Sequence, residues 1–349
     1  MMPIKVLIVD DSALIRKLLS AIVQAEPDFE LVGAASDAYI ARDMVNQFAP
    51  DVITLDIEMP KVDGLTFLEK LMKARPTPVL MISTLTERGS EATLRALELG
   101  AVDYIAKPKI GISEGLSEYQ QDIVNKIRTV AKANIKRKRA QSRPPVTSLN
   151  YTGTEKIIAI GASTGGTEAI KEVLIQMPAA CPAIVITQHM PPGFTRSFAE
   201  RLNKICTITV KEAVHNERVL PGCAYIAPGD LHLTLTRSGA DYRVTLSDTE
   251  RVSGHKPSVD VMFESLAQVA GPNVLAAILT GMGKDGARGM LEIRNKGGYT
   301  VAQDEASCVV FGMPAEAIRL GAVEKICSIE AVAGALLERL KQLGSGNRV

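Results

Sequence analysis

The chain has 349 residues, in which 40 lysines and arginines nearly balance 39 aspartates and glutamates, so the formal net charge is +1. This length predicts two domains, and the balanced charge disfavours nucleic acid or a membrane surface as a partner. Five cysteines without a Cys-x-x-Cys pair indicate buried thiols in a reducing compartment. No signal peptide or membrane-length apolar run is visible, so we expect a soluble, cytoplasmic protein without direct membrane insertion.

The N-terminal third contains four apolar strand patterns, each followed at once by side chains that can do chemistry. These side chains are, in chain order, Asp10 and Asp11, Asp56, Ser83, and Lys107. Carboxylates that meet at one sheet edge repel each other and raise each other's pKa. Mg²⁺ prefers oxygen ligands and would supply the positive charge that balances them. Asp56 is then a nucleophile toward a phosphoryl group, whose oxygens Lys107 and Ser83 would contact. Taken singly, the aspartates would be a helix cap and a turn residue, but four such strand ends favour the phosphoryl site.

This spacing resembles that of the receiver domains of two-component signalling, over about residues 4–121. The resemblance implies a doubly wound, flavodoxin-like domain that is phosphorylated on Asp56 and needs Mg²⁺ for this step. It also implies that the Lys107–Pro108 peptide bond is cis. The residues that it assigns are Asp10, Asp11, Asp56 and the carbonyl of Glu58 as metal ligands, and Ser83, Tyr104 and Lys107 as switch residues.

A change in composition separates this domain from the rest of the chain. Ile123, Ile127 and Val130 repeat at helical spacing, and a basic, proline-containing stretch follows them. We predict that residues 122–153 are the helix end and a linker, and that residues 154–345 form a second domain. The basic stretch could contact nucleic acid, but nothing after it resembles a helix-turn-helix, so a solvated connector is favoured.

The second domain opens with an apolar strand that leads into the glycine-rich turn at residues 161–166. Ser163 stands on this turn, and a helical pattern follows it. Such a turn exposes the serine hydroxyl close to backbone N–H groups, as an acyl-transfer nucleophile requires. A helix cap is the plain alternative. A dinucleotide site is disfavoured, because it needs glycine where Ser163 stands and an acidic residue where Gln188 and His189 end the next strand.

Two later apolar strands end in possible partners of this serine. Residues 183–187 lead to His189, and residues 274–279 lead to a glycine-rich loop that contains Asp285. The carboxyl ends of parallel strands share one edge, so His189 can serve as the base and Asp285 can orient it. Asp285 could also be an ordinary turn residue.

The other three histidines are weaker candidates for the base. His232 is the rival of His189, but it lies in a strand-like alternation. His215 and His255 lie in polar stretches and are expected to be ordinary surface groups. The alternation at residues 231–235 and 242–246 predicts a β-hairpin that adds antiparallel strands to the parallel sheet.

Four motifs of this domain resemble those of the chemotaxis protein-glutamate methylesterases, which join a receiver to an esterase. They lie at residues 161–166, 188–191, 279–286 and 303–314, so with the receiver the resemblance covers nearly the whole chain outside the linker. The expected fold is α/β, with a second doubly wound parallel sheet and an antiparallel hairpin. The order serine, histidine, aspartate differs from that of α/β-hydrolases, so that fold is not implied.

The resemblance implies a phosphorylation-regulated serine hydrolase that demethylates glutamate methyl esters and deamidates specific glutamines. Its substrates would be the cytoplasmic regions of methylated chemoreceptors, its phosphodonor a chemotaxis histidine kinase, and hydrolysis would need no metal. We expect the N–H groups of Met282 and Thr164 to be oxyanion donors, and the receiver to inhibit the esterase until Asp56 is phosphorylated. The alternative is a receiver joined to a non-catalytic binding module.

Overall fold

The computed structural model describes residues 2–84, 86–107, 116–135, 155–239 and 241–345. The chain divides into two compact units, residues 1–136 and residues 137–349. Part of the predicted linker therefore lies outside the described residues. Among the helices in these ranges, none is long and apolar enough to cross a membrane.

The N-terminal unit is built on a five-stranded parallel sheet with the strand order β2-β1-β3-β4-β5. This is the doubly wound, flavodoxin-like order, in which helices cover both faces and the strands become almost wholly apolar. The elements are β1 (Ile4–Val9), α1 (Ala13–Ala25), β2 (Phe29–Ala35), α2 (Ala38–Phe48), β3 (Val52–Asp56), α3 (Gly64–Ala74), β4 (Val79–Ser83), α4 (Glu87–Leu99), β5 (Asp103–Ala106) and α5 (Leu116–Ala131).

The C-terminal unit is built on a seven-stranded parallel sheet with the order β14-β13-β12-β6-β7-β9-β8. From β6 the chain proceeds to β7 on one side and later returns to β12 on the other, so the strand order reverses at β6. Its elements are β6 (Ile157–Ala162), α6 (Gly166–Leu174), β7 (Ala183–Gln188), α7 (Phe194–Asn203), β8 (Thr209–Glu212), β9 (Cys223–Ile226), β10 (His232–Ser238), β11 (Asp241–Ser247), α8 (Val259–Val269), a 3₁₀ turn (Gly271–Asn273), β12 (Val274–Ile278), α9 (Ala287–Asn295), β13 (Tyr299–Gln303), α10 (Met313–Arg319), β14 (Lys325–Cys327) and α11 (Ile329–Ser345).

The predicted hairpin is confirmed as β10 and β11, which pair antiparallel from His232 opposite Ser247 to Ser238 opposite Asp241. Its predicted attachment was wrong, since the two strands form a sheet of their own rather than an extension of the parallel sheet. The inward residues of the hairpin, among them Leu233 and Val244, share one apolar core with Phe263 of α8. Burial of this apolar face, rather than edge pairing, holds the hairpin in place.

Candidate active site

Ser163 lies one residue beyond β6, at the carboxyl edge of the sheet and at the point where the strand order reverses. Ligands bind at this point in open α/β sheets. The turn is tight: the Gly166 N–H donates to the Ser163 carbonyl at 2.7 Å, and Gly165 has a φ of 76°. Glycine adopts this left-handed conformation without strain. The turn therefore presents a half-buried serine three residues before the start of α6.

His189 follows β7 and is held beside the serine turn. Ala162 and Gln188 are paired in the register of β6 and β7, and the His189 N–H donates to the Ala162 carbonyl at 3.3 Å. Ser163 and His189 are thus the next residues on two adjacent strands, which run about 4.8 Å apart.

The imidazole of His189 is oriented by Asp285. Nε2 of His189 lies 2.8 Å from Oδ2 of Asp285, and Nδ1 is buried with no hydrogen-bond partner among the described residues. Because an ionised carboxylate only accepts hydrogen bonds, it selects the tautomer with the proton on Nε2 and the lone pair on Nδ1. Nδ1 is therefore the nitrogen available to Ser163, although no hydrogen bond joins these two side chains in the described structure.

Asp285 is fixed by the N-terminus of α8. Oδ1 accepts hydrogen bonds from the Ser258 hydroxyl at 2.7 Å and the Asp260 N–H at 3.1 Å, and Oδ2 accepts one from the Val259 N–H at 2.7 Å. Burial alone would raise the pKa of Asp285, but the hydrogen bonds from His189, Val259 and Ser258 outweigh it and lower the pKa to about 2. The carboxylate is thus a fixed anion at neutral pH, as a helix N-terminus favours.

His232, the rival base, is fully buried, and both of its ring nitrogens have partners. Nδ1 accepts a hydrogen bond from the Ser258 N–H at 3.2 Å, and Nε2 lies 2.9 Å from the Glu250 carbonyl. It has no nitrogen left for Ser163. His232 therefore supports the segment that precedes α8, a role that the strand pattern around it did not indicate.

The expectation that His255 is an ordinary surface group was wrong. Its ring stacks on that of His189, with the centroids 3.7 Å apart and the planes inclined by 9°. His215, by contrast, is exposed, and its Nδ1 accepts a hydrogen bond from the Leu246 N–H at 3.1 Å. The sequence around His255 gave no sign of the stacking, because the contact joins two loops that are 66 residues apart in the sequence.

The two predicted oxyanion donors lie on the turns that flank Ser163. Thr164 is buried directly after the serine, and Met282 follows Gly281 in the loop after β12. Gly281 packs so closely on the serine that a Cβ atom there would stand 2.8 Å from the Ser163 Cβ. The assignment of these N–H groups to an oxyanion stays a prediction.

A cavity of about 570 Å³ is lined in part by His255. Lys284, Glu316 and Arg319 give it charged walls, and Arg319 is paired with Glu316 at 2.7 Å. The other lining residues are Ser253, Gly283, Gly312 and Ala315. His255 therefore links this cavity to the ring of His189, on which it stacks.

A second site lies at the carboxyl edge of the N-terminal sheet. Lys107 Nζ lies 2.7 Å from Oδ2 of Asp56 and 3.3 Å from Oδ2 of Asp10. Burial raises the pKa of Asp56 to about 6, against the effect of Lys107, and burial also raises the pKa of Asp10. The pKa of Lys107 is raised as well, because its two carboxylate partners outweigh the effect of its own burial. One lysine thus faces two carboxylates that are costly to ionise.

The donor set of this second site suits a hard cation. Ligand oxygens of Asp10, Asp11 and Asp56 all lie within 4.8 Å of one another, and such an acidic cluster is the Mg²⁺ site typical of receiver domains. An ion there would lower the cost of ionising the two buried carboxylates. Glu58, the fourth predicted ligand, is exposed and donates its N–H to Oδ1 of Asp56 at 3.3 Å. Metal binding by its carbonyl stays a prediction.

The other two predicted switch residues lie on the strands β4 and β5. Ser83 is buried and accepts a hydrogen bond from the Thr93 hydroxyl at 2.6 Å. Tyr104 is also buried, which raises the pKa of its phenol well above the usual value. Their switch roles remain predictions, and the Lys107–Pro108 peptide bond lies outside the described residues.

These two units define a class: a phosphoacceptor domain of the receiver type joined to an α/β domain with a serine-histidine-aspartate constellation. Two family models match accordingly, the response regulator receiver domain over residues 6–114 and the CheB methylesterase over residues 158–336. The chain belongs to the CheB methylesterase family, in its form with an N-terminal receiver domain.

Two similar proteins match this chain along its whole length, and a solved structure matches its C-terminal domain. A protein-glutamate methylesterase/protein-glutamine glutaminase 2 of Pseudomonas aeruginosa is 63% identical over 349 residues, which is 100% of both chains. A protein-glutamate methylesterase/protein-glutamine glutaminase of Nitrosomonas europaea is 59% identical and covers 100% of this chain and 99% of its own length. The crystal structure of the CheB methylesterase catalytic domain of Thermotoga maritima is 38% identical and matches 54% of this chain and 100% of that one, with a TM-score of 0.52.

Proposed function

We propose that Ser163, His189 and Asp285 form the catalytic triad of this chain, which is a receiver-regulated protein-glutamate methylesterase and protein-glutamine glutaminase of chemotaxis adaptation. The observation that carries the proposal is the 2.8 Å hydrogen bond between His189 Nε2 and Asp285, which leaves Nδ1 as the basic atom beside the serine turn. This is the division of roles that a serine hydrolase needs.

The reaction begins when Oγ of Ser163 attacks the carbonyl carbon of a glutamate methyl ester and its proton passes to Nδ1 of His189. Asp285 stabilises the imidazolium, and the N–H groups of Met282 and Thr164 stabilise the oxyanion. The tetrahedral adduct collapses, and methanol leaves with the proton from Nδ1. Water then hydrolyses the acyl-enzyme with His189 again as the base, giving a glutamate side chain. With a glutamine side chain the leaving group is ammonia.

Phosphorylation belongs to the other unit. Asp56 accepts a phosphoryl group from a chemotaxis histidine kinase, and Lys107 and Ser83 contact its oxygens. Asp10, Asp11 and Asp56 would hold Mg²⁺, which would supply positive charge for this transfer, and ester hydrolysis would need no metal. The substrates are the cytoplasmic regions of methylated chemoreceptors, and the enzyme acts in the cytoplasm. The unphosphorylated receiver inhibits the esterase, and phosphorylation relieves this inhibition.

The test is methanol release from membranes that carry methylated receptors, with and without a small-molecule phosphodonor. Ser163→Ala should lose activity by a factor on the order of 10⁴ to 10⁶, since one member of the triad is removed. The matched control is Ser238→Ala, which removes an exposed hydroxyl at the end of β10. A non-catalytic binding module, the alternative function, would keep its output in both variants.

The regulatory part is tested separately with Asp56→Asn in the full chain. This variant should keep the basal rate and lose the response to the phosphodonor, because an amide cannot attack the phosphoryl group. A full response in Asp56→Asn would contradict phosphorylation at this residue without affecting the assignment of the triad.

A further inference from the structure

The two histidines that the proposed reaction does not use, His232 and His255, are linked to each other by one short segment. We call residues 250–258 the His255 segment. It starts at the Glu250 carbonyl, turns back at residues 253 and 254, presents the ring of His255 to His189, and ends at Ser258 beside Asp285.

We propose that His255 is a positioning residue, whose ring fixes the plane of the His189 imidazole, and that buried His232 holds the segment that carries it. The inference rests on the proposed role of His189 as the base. It adds a support on the face of the ring to the support that Asp285 gives at its edge.

Asp285 alone does not define the orientation of His189. A single hydrogen bond at Nε2 holds one atom of the ring, but the torsions about the Cα–Cβ and Cβ–Cγ bonds can still rotate the ring plane around that atom. Such a rotation changes the direction of the Nδ1 lone pair, which must point at the Ser163 hydroxyl. A second ring stacked at 3.7 Å and nearly parallel blocks this rotation, because the two faces are already at van der Waals distance.

The His255 ring is itself held by a two-residue turn. Val252 and His255 exchange both backbone hydrogen bonds, at 3.1 and 3.0 Å, and Ser253 and Gly254 between them have φ values of 54° and 82°. Two successive left-handed residues are the mark of a tight hairpin turn. The ring of His255 therefore projects from a short, closed loop rather than from a long flexible one.

His232 forms hydrogen bonds with both ends of the His255 segment. Its Nε2 lies 2.9 Å from the Glu250 carbonyl, and its Nδ1 lies 3.2 Å from the Ser258 nitrogen. A carbonyl can only accept a hydrogen bond and an amide N–H can only donate one, so these partners select the neutral tautomer with the proton on Nε2. Because Ser258 also donates to Asp285, the same histidine supports both restraints on His189.

The stacked ring has a second effect during the reaction. When Nδ1 of His189 takes the serine proton, its ring becomes a cation that faces an aromatic ring, and aromatic faces attract cations. His255 also lines the cavity, so a direct contact with the substrate is the competing interpretation of its position. The two interpretations differ in which kinetic constant changes.

The test compares three replacements in the full, phosphodonor-activated chain. His255→Phe keeps an aromatic face without ring nitrogens, His255→Gln keeps polarity without a ring, and His255→Ala removes both. A misplaced catalytic group costs up to about 100-fold, so we expect kcat to fall by about 10- to 100-fold in the Ala and Gln variants while KM stays nearly constant. The Phe variant should recover most of kcat.

A small phosphonylating reagent that reacts with Ser163 gives an independent readout, since it does not need the receptor surface. Its rate should fall in the Ala and Gln variants and recover in the Phe variant. His215→Ala is the matched control, because it removes an exposed histidine whose ring accepts a hydrogen bond from the Leu246 N–H. Thermal unfolding identifies any variant that does not fold, and the Phe and Gln variants alone then carry the comparison.

Three results would overturn the inference: an unchanged kcat in His255→Ala, a Phe variant as slow as the Ala variant, or a higher KM at constant kcat. His189→Ala separates this failure from that of the triad, because its retained activity would contradict the proposed function itself. For His232, nuclear magnetic resonance of ¹⁵N-labelled histidine should find a proton on Nε2 alone. A proton on Nδ1 would contradict its holding role.

Discussion

Asp285→Asn tests the central geometry of the esterase site, because each oxygen of this carboxylate accepts two hydrogen bonds. Oδ2 serves His189 and the Val259 N–H, and Oδ1 serves the Ser258 hydroxyl and the Asp260 N–H. An amide has one oxygen and one NH₂ group. In either orientation, the NH₂ group faces a backbone N–H that can only donate.

The size of the effect follows from these contacts. If the NH₂ group faces His189, Nε2 must accept a hydrogen bond and the proton moves to Nδ1, which then cannot take the serine proton. A wrong tautomer costs on the order of 10⁴ in kcat. The fall of the Asp285 pKa from 3.8 to about 2 corresponds to about 2 kcal/mol of stability, which the amide does not provide.

The stability difference has a defined dependence on pH. A lowered pKa in the folded state stabilises the protein above the unfolded value of 3.8, and this contribution is lost as the pH falls through about 2. Asp285→Asn should therefore be less stable than the parent protein at pH 7 by about 2 kcal/mol, and the difference should shrink below pH 4.

The assay combines methanol release with denaturant unfolding of the esterase unit between pH 2 and pH 7. Asp260→Asn is a useful comparison, because Asp260 lies in the first turn of α8 next to Asp285, and its carboxylate accepts a hydrogen bond from the Gly289 N–H instead of from His189. If Asp285→Asn released methanol within about tenfold of the parent rate, the tautomer argument would be refuted, since that loss is far below 10⁴.

Three further predictions concern other parts of the chain. Gly281→Ala should lower kcat by about 100-fold, because its Cβ would displace Ser163, and single-turnover kinetics will measure this loss. In Mg²⁺-free buffer at pH 8, Asp56→Asn should be more stable than the parent protein by up to about 3 kcal/mol, because the parent must keep a buried carboxylate ionised. The unfolding curves of the two proteins should converge as the pH falls from 6 to 4, where the parent carboxyl takes up its proton. A metal chelator should abolish phosphorylation of Asp56, measured with a labelled phosphodonor, and leave basal methanol release unchanged.

The site residues at the strand ends could be predicted from the sequence, but the hydrogen bonds that hold them in place could not. Apolar runs that end in Ser163, His189 and Asp56 are local patterns, and a parallel sheet brings such ends to one edge without further information. The supporting contacts of Asp285 come from Ser258 and the N–H groups of α8, whose helix pattern does not indicate what lies at its N-terminus.

The hairpin and the histidines show the same limit. Alternation predicted the two strands of the hairpin, but their attachment depends on packing against α8, which is a tertiary property. His232 and His255 were judged by their neighbours in sequence, one in a strand and one in a polar stretch. Their roles depend on contacts with Ser258 and His189, across 26 and 66 residues of sequence.

Two buried carboxylates in one chain have pKa values that are shifted in opposite directions, and the difference explains why one site suits a metal ion. Asp56 shares Lys107 with Asp10 and has one backbone N–H at 3.3 Å, so burial dominates and its pKa rises to about 6. Asp285 has four donors, and its pKa falls to about 2.

A carboxylate that must attack phosphorus needs an accessible oxygen, so its charge is best balanced by a cation that remains partly hydrated. A carboxylate that only orients a base can be enclosed by N–H and O–H donors, and for that role no ion is needed.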